Sequence, residues 1–200
     1  MSASSNVTRV VAIDSDGIRE IAPGKIAIWW FLASEIMVFG TLLFLYVLFS
    51  FAHGGFAADG AHVKWRLGAF NTLVLVTSSL TMIMALASAR KHNLTQTRLF
   101  LLATVVLGLV FLGVKGAEYS SEFREGFTPA SGIFWSFYFG LTGLHGLHVI
   151  AGIVINSILL AAALSRKPWD FLERRIEFAG LYWHFVDVVW IFLFPLLYLT

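Results

Sequence analysis

The sequence predicts an all-α fold, a polytopic membrane protein built as a bundle of five transmembrane helices, with the N-terminus in the cytoplasm and the C-terminus outside. Three observations carry this. Of 200 residues, 58% are hydrophobic, and the mean hydropathy is +0.79, far above a soluble domain. Apolar runs long enough to span a bilayer recur five times between short polar connections. Ionisable residues inside those runs sit at helical spacing. In Tyr182–Tyr198, His184 and Asp187 lie three apart and project from one face, with Glu177 seven before His184. An aspartate at the bilayer centre costs roughly 2.5–3.5 kcal/mol. Lipid does not offset that, so polar faces must point toward neighbouring helices.

Charged residues make up only 13% of the chain. The pI of about 9.0 does not indicate a nucleic-acid binder, because the basic residues cluster at the ends of apolar runs, where they orient a membrane protein. With no cysteine, disulfides, iron–sulfur clusters and thiolate metal sites are excluded from this chain. The first 25 residues are polar, with Asp14, Asp16 and Glu20, and hold no apolar core of signal length. The first span is expected to act as the insertion signal.

Residues 1–24 read as a polar tail, closed by the helix-breaking pair Pro23-Gly24. The bundle follows over 25–200. The first span, about 26–51, opens on Lys25 and the belt residues Trp29 and Trp30, and carries one charge, Glu35. A Gly/Ala-rich loop over 53–66 leads to the second span, about 67–89, uncharged and rich in Thr and Ser that favour close helix contact. The third span, about 99–120, continues past its apolar core through Lys115 and Glu118 toward the far interface. Ser121–Ser131, with Glu122, Glu125 and Pro129, reads as an exposed turn. The fourth, about 133–164, would be roughly 48 Å long and must tilt or protrude. Its glycine ladder Gly140, Gly143, Gly146 invites close packing, with His145 and His148 inside it. A basic loop over 165–175 precedes the fifth span, about 178–199.

Five spans place the N-terminus and the second and fourth loops on one side, with ten Lys and Arg against four on the other. The positive-inside rule makes the first side cytoplasmic. Counting 1.5 Å per residue from the expected helix starts then puts Glu35 and Asp187 each roughly 14 Å deep, and His148 near the level of His184. The expectation is one polar cluster in the inner half of the bundle: Glu35, His145, His148, Glu177, His184 and Asp187. Such a cluster has a structural reading, in which buried acids bonded to His and Thr hold the helices in register. It also has a functional reading, proton handling, because imidazole titrates near neutrality and intramembrane acids mark proton paths. His145, His148 and His184 could alternatively ligate a metal or haem. A transporter would show an internal repeat and a broken helix, and neither is evident.

These residues carry a resemblance. Tyr182–Phe194, YWHFVDVVWIFLF, closely resembles the last-helix signature of subunit III of haem–copper oxidases. Thr142–Gly152, TGLHGLHVIAG, is similar to that family's penultimate-helix motif, and Trp30–Gly40, WFLASEIMVFG, to the helix bearing its intramembrane glutamate. Asn71–Thr81, Glu118-Tyr119 and Phe127-Thr128 fit as well. The form resembled is the bacterial five-helix one; the mitochondrial form has two further helices at its start. The resemblance implies an accessory subunit of a respiratory terminal oxidase in the bacterial inner membrane, part of an oxidoreductase but not catalytic alone. It implies direct packing on subunit I, with subunit II also in the complex. It implies haem and copper in partner chains, none in this one, and bound phospholipid. It further implies support for proton uptake and sustained turnover. Glu35 matches the family's carbodiimide-reactive acid, His145, His148, His184 and Asp187 its inner polar positions, and Glu177 the acid before the last-helix motif. The alternatives are a related accessory subunit of nitric oxide reductase and a stand-alone haem-binding or proton-coupled membrane protein.

Overall fold

The computed structural model describes the backbone of residues 23–165 and 167–199, and their side chains from residue 26 onward. Helices run in the order α1 (Pro23–Ala52), α2 (Ala57–Gly60), α3 (Trp65–Arg90), α4 (Leu94–Arg124), α5 (Ile133–Leu164) and α6 (Trp169–Tyr198), with no strand among the described residues. Five are long and apolar enough to cross a membrane; α2 is a single turn in the connection after α1.

The boundaries differ from the sequence reading at four places. The expected tail lies outside the described residues as far as residue 22, but Pro23 and Gly24 belong to α1. A proline at the first helical position gives up an N–H that no intrahelical bond needs, so it starts this helix rather than blocking it. The helix α4 extends from Leu94 to Arg124, so Glu122 is helical and the exposed turn is confined to the residues after it. Asn93 caps its start, accepting from the Gln96 N–H at 3.1 Å. The helix α6 begins at Trp169, nine residues before the expected start, so Glu173, Arg174, Arg175 and Glu177 are helical rather than loop.

Buried positions follow a 3.5-residue repeat on each core helix. On α4 they are Thr97, Leu101, Thr104, Gly108, Phe111, Lys115, Glu118 and Glu122, in steps of four and three. The same alternation runs through Leu172, Ile176, Ala179, Trp183, Val186, Trp190, Leu193 and Leu197 on α6. Such a seam keeps one face against antiparallel neighbours over many turns. The contacts confirm that arrangement. Arg90 meets Glu173 at 3.5 Å at one end of α3 and α6, and Trp190 Nε1 donates to Thr72 Oγ1 at 3.1 Å toward the other. Arg98 donates to the Ala163 carbonyl at 2.8 Å, closing an orphan carbonyl at the end of α5.

Close packing comes from other glycines than the expected ladder. A Cβ on Gly140 or Gly146 would meet nothing within 4 Å, and on Gly143 only the Tyr119 hydroxyl at 3.8 Å. The tight positions are Gly68, which faces Tyr198 and Phe194, and Gly108 and Gly152, which receive the Trp183 ring; a Cβ on Gly152 would lie 2.5 Å from it. α3, α4, α5 and α6 form the packed core. α1 lies against α5 and α6 along Leu32, Phe39 and Tyr46, seven residues apart.

Candidate functional site

Glu35 and His148 are the one expected pair that the structure joins. Glu35 Oε2 lies 3.1 Å from His148 Nε2, across the α1–α5 contact. His148 Nδ1 lies 2.9 Å from the Leu144 carbonyl, which can only accept, so Nδ1 carries a hydrogen. One further proton therefore occupies the Nε2–Oε2 contact, either on the acid of a neutral pair or on the imidazolium of an ion pair. The Tyr182 hydroxyl donates to the His148 carbonyl at 3.0 Å, and the Phe39 ring stands edge-on to the imidazole at 5.3 Å. These contacts fix the ring and hold its Nε2 against Glu35.

The other expected residues sit apart from this pair. His184 Nδ1 is 2.6 Å from Ser79 Oγ, on the α3 side of α6. Asp187 is 5% exposed and stands by the same Ser79, but neither oxygen meets hydrogen-bond geometry among the described residues. His145 is fully buried between Phe111 and Trp190, ring centroids 5.5 and 5.1 Å away, with no bond to either nitrogen. Glu177 is half-buried at the start of α6. The single cluster expected from depth counting thus divides into separate sites. Depth gives height along a helix but not the side on which a residue stands. The two histidines that would face each other across a haem hold different neighbours, Glu35 on α1 and Ser79 on α3. Among the described residues, no group of three His, Cys, Asp or Glu converges to hold a metal.

A second buried polar site lies near the other end of the bundle, at residues read as interfacial from sequence. Lys115 is 6% exposed and Glu118 fully buried. Lys115 Nζ donates to Glu118 Oε2 at 3.0 Å, to Tyr198 Oη at 2.6 Å and to Tyr138 Oη at 3.3 Å. The Tyr138 hydroxyl closes the network on Glu118 Oε1 at 2.8 Å. Rings of Tyr119, Tyr138, Trp190 and Tyr198 surround the ammonium at 4.9–5.6 Å, so its charge meets π-faces as well as a carboxylate. Glu122, one turn on, is also fully buried, with neither oxygen bonded among the described residues. The signal was present in the sequence: Lys115, Glu118 and Glu122 continue the buried register of Gly108 and Phe111.

Between α1, α5 and α6 lies an open groove of about 510 Å³. Ile28, Phe31, Ile155, Ile158 and Phe178 line it, with Arg175 the one charged lining residue among those described.

Fold and sites together define a five-span membrane protein whose buried ionisable groups include one pair between helices, Glu35–His148, and one within a helix, Lys115–Glu118. The sequence matches the cytochrome c oxidase subunit III family over residues 20–200. It is 35% identical over 178 residues to a probable quinol oxidase subunit 3 of Staphylococcus haemolyticus, covering 88% of each chain. It is 38% identical over 178 residues to a cytochrome c oxidase subunit 3 of Alkalihalophilus pseudofirmus, covering 86% of this chain and 84% of that one. A cytochrome c oxidase subunit 3 of Thermostichus vulcanus is 34% identical over 172 residues, covering 84% and 83%. The chain belongs to the cytochrome c oxidase subunit III family. It is an accessory, multi-pass membrane subunit of a haem–copper oxidase, part of an oxidoreductase complex and not catalytic by itself.

Proposed function

We propose that this subunit packs directly on subunit I of a proton-pumping terminal oxidase in the bacterial inner membrane, its N-terminus cytoplasmic, and supports proton uptake and sustained turnover there. Haem and copper reside in partner subunits, and the choice between quinol and cytochrome c as electron donor belongs to them too. The observation that carries this reading is the Glu35–His148 contact, which holds one exchangeable proton within the membrane-spanning region. The pair carries no net charge whether that proton sits on the carboxyl or on the imidazole, so passing it between the two leaves no lone buried charge. Phospholipid occupies the groove beside it, acyl chains against Ile155, Ile158 and Phe178 and the phosphate toward Arg175; the lining chemistry supports this. Carbodiimide labelling tests the proton site. Glu35→Ala is expected to abolish labelling of this chain, and undiminished labelling rejects Glu35 as the reactive acid.

A further inference from the structure

Most hydroxyls facing outward from the bundle are already satisfied. Ser34, Thr41 and Thr77 are exposed, and each returns its hydroxyl to a carbonyl of its own helix at 2.7–2.8 Å. His184 differs. It stands at the midpoint of α6, beside Ser79 at the midpoint of α3, and both are partly exposed. Ser79 uses only Nδ1. His184 Nε2 has no hydrogen bond among the described residues, and the side chain is partly exposed on the face that Val188 and Ile191 continue one and two turns on. Around it Val76, Ile83, Val188 and Ile191 are 48–52% exposed.

Hydrocarbon offers no partner to such a nitrogen, and an unsatisfied polar group at that depth is expensive. Acyl chains can cover the four aliphatic side chains but not the imidazole. A neighbouring transmembrane helix carrying a hydroxyl or amide covers both, because interhelical hydrogen bonds form where helices replace lipid. We infer that the α3–α6 face centred on Ser79 and His184 is where a transmembrane helix of a partner subunit packs, presenting a hydrogen-bonding side chain to His184 Nε2. This rests on the accessory role proposed above and specifies the face that serves it.

The exposed flanking residues make the test direct. A photo-crosslinking amino acid is placed singly at Val76, Ile83 or Val188, and for comparison at Leu109 or Leu147 on α4 and α5, and the whole complex is irradiated in native membranes. Adducts with another transmembrane subunit are expected from the first three positions and not from the last two. Adducts confined to Leu109 and Leu147, or none from the first three in a complex that still co-purifies, overturn the inference while leaving the accessory role intact. Failure of any haem-bearing subunit to co-purify with the unmodified chain overturns the accessory role itself. His184→Leu is expected to lower retention in the complex about 3- to 20-fold on detergent challenge, with the free chain's helix content unchanged. His184→Gln, which keeps a donor and an acceptor, is expected to restore it. Unchanged retention in His184→Leu contradicts the inference.

Discussion

At the residue scale, each buried ion is set by whether its partner was visible in the sequence. Lys115 and Glu118 lie three apart, so their ion pair is a local, legible feature; the two hydroxyls that complete it are not, because Tyr138 and Tyr198 come from other helices. Removing one member leaves the other uncompensated. Lys115→Met is expected to destabilise the chain by about 3–5 kcal/mol, with much of that recovered in the double variant Lys115→Met/Glu118→Gln. Denaturant unfolding in detergent reads both, and equal losses in single and double variants would contradict a buried pair. The exposed pair outside the spans behaves differently. Lys64 donates to Glu125 at 3.2 Å and also touches Ser121. The hydrogen bond first, then the ammonium charge, holds the Glu125 carboxyl below its ordinary value. The pair's stabilisation is therefore present at neutral pH and is lost as pH falls through that lowered value. A carboxyl titration of Glu125 by NMR is expected to move back toward the ordinary value of about 4.3 in Lys64→Met. An unmoved midpoint would rule Lys64 out as the cause.

At the element scale, the sequence made the five spans legible by length and hydropathy, but hid which side of each helix is buried. Lipid-facing and core-facing residues are equally apolar, so amphipathicity carries little signal in a membrane bundle. What does carry signal is the 3.5-residue repeat of small and polar residues, such as Thr97, Thr104, Gly108, Lys115 and Glu118 on α4. Depth counting failed on α6 for a related reason. It started at Phe178, whereas the helix starts at Trp169, about 14 Å earlier. Tyr182, not Asp187, is the α6 residue that reaches the level of Glu35 and His148. Glycines divide the same way. Gly152→Ala would drive a methyl into the Trp183 ring and is expected to cost about 1–3 kcal/mol. Gly140→Ala meets open space and is expected to be neutral or stabilising by up to about 1 kcal/mol through helix propensity. Unfolding of the two variants side by side reads this, and equal effects would contradict the assignment of the α5–α6 contact to Gly152.

At the scale of the whole molecule, family membership was legible because its motifs coincide with structural joints. TGLHGLHVIAG supplies His148 for Glu35 and Gly152 for Trp183, and YWHFVDVVWIFLF supplies Trp183 and the outward His184. The grouping of those residues was not legible, because it depends on how the packed helices are rotated against one another. Under the proposed function, this chain supports a neighbour's chemistry rather than carrying electron transfer itself. The most direct measurement compares the purified oxidase with and without this subunit, recording haem absorption spectra and activity over continued turnover. The predicted result is unchanged haem spectra with a much shorter working life in the depleted enzyme. Loss of the haem spectra on depletion, or an undiminished working life, would contradict it.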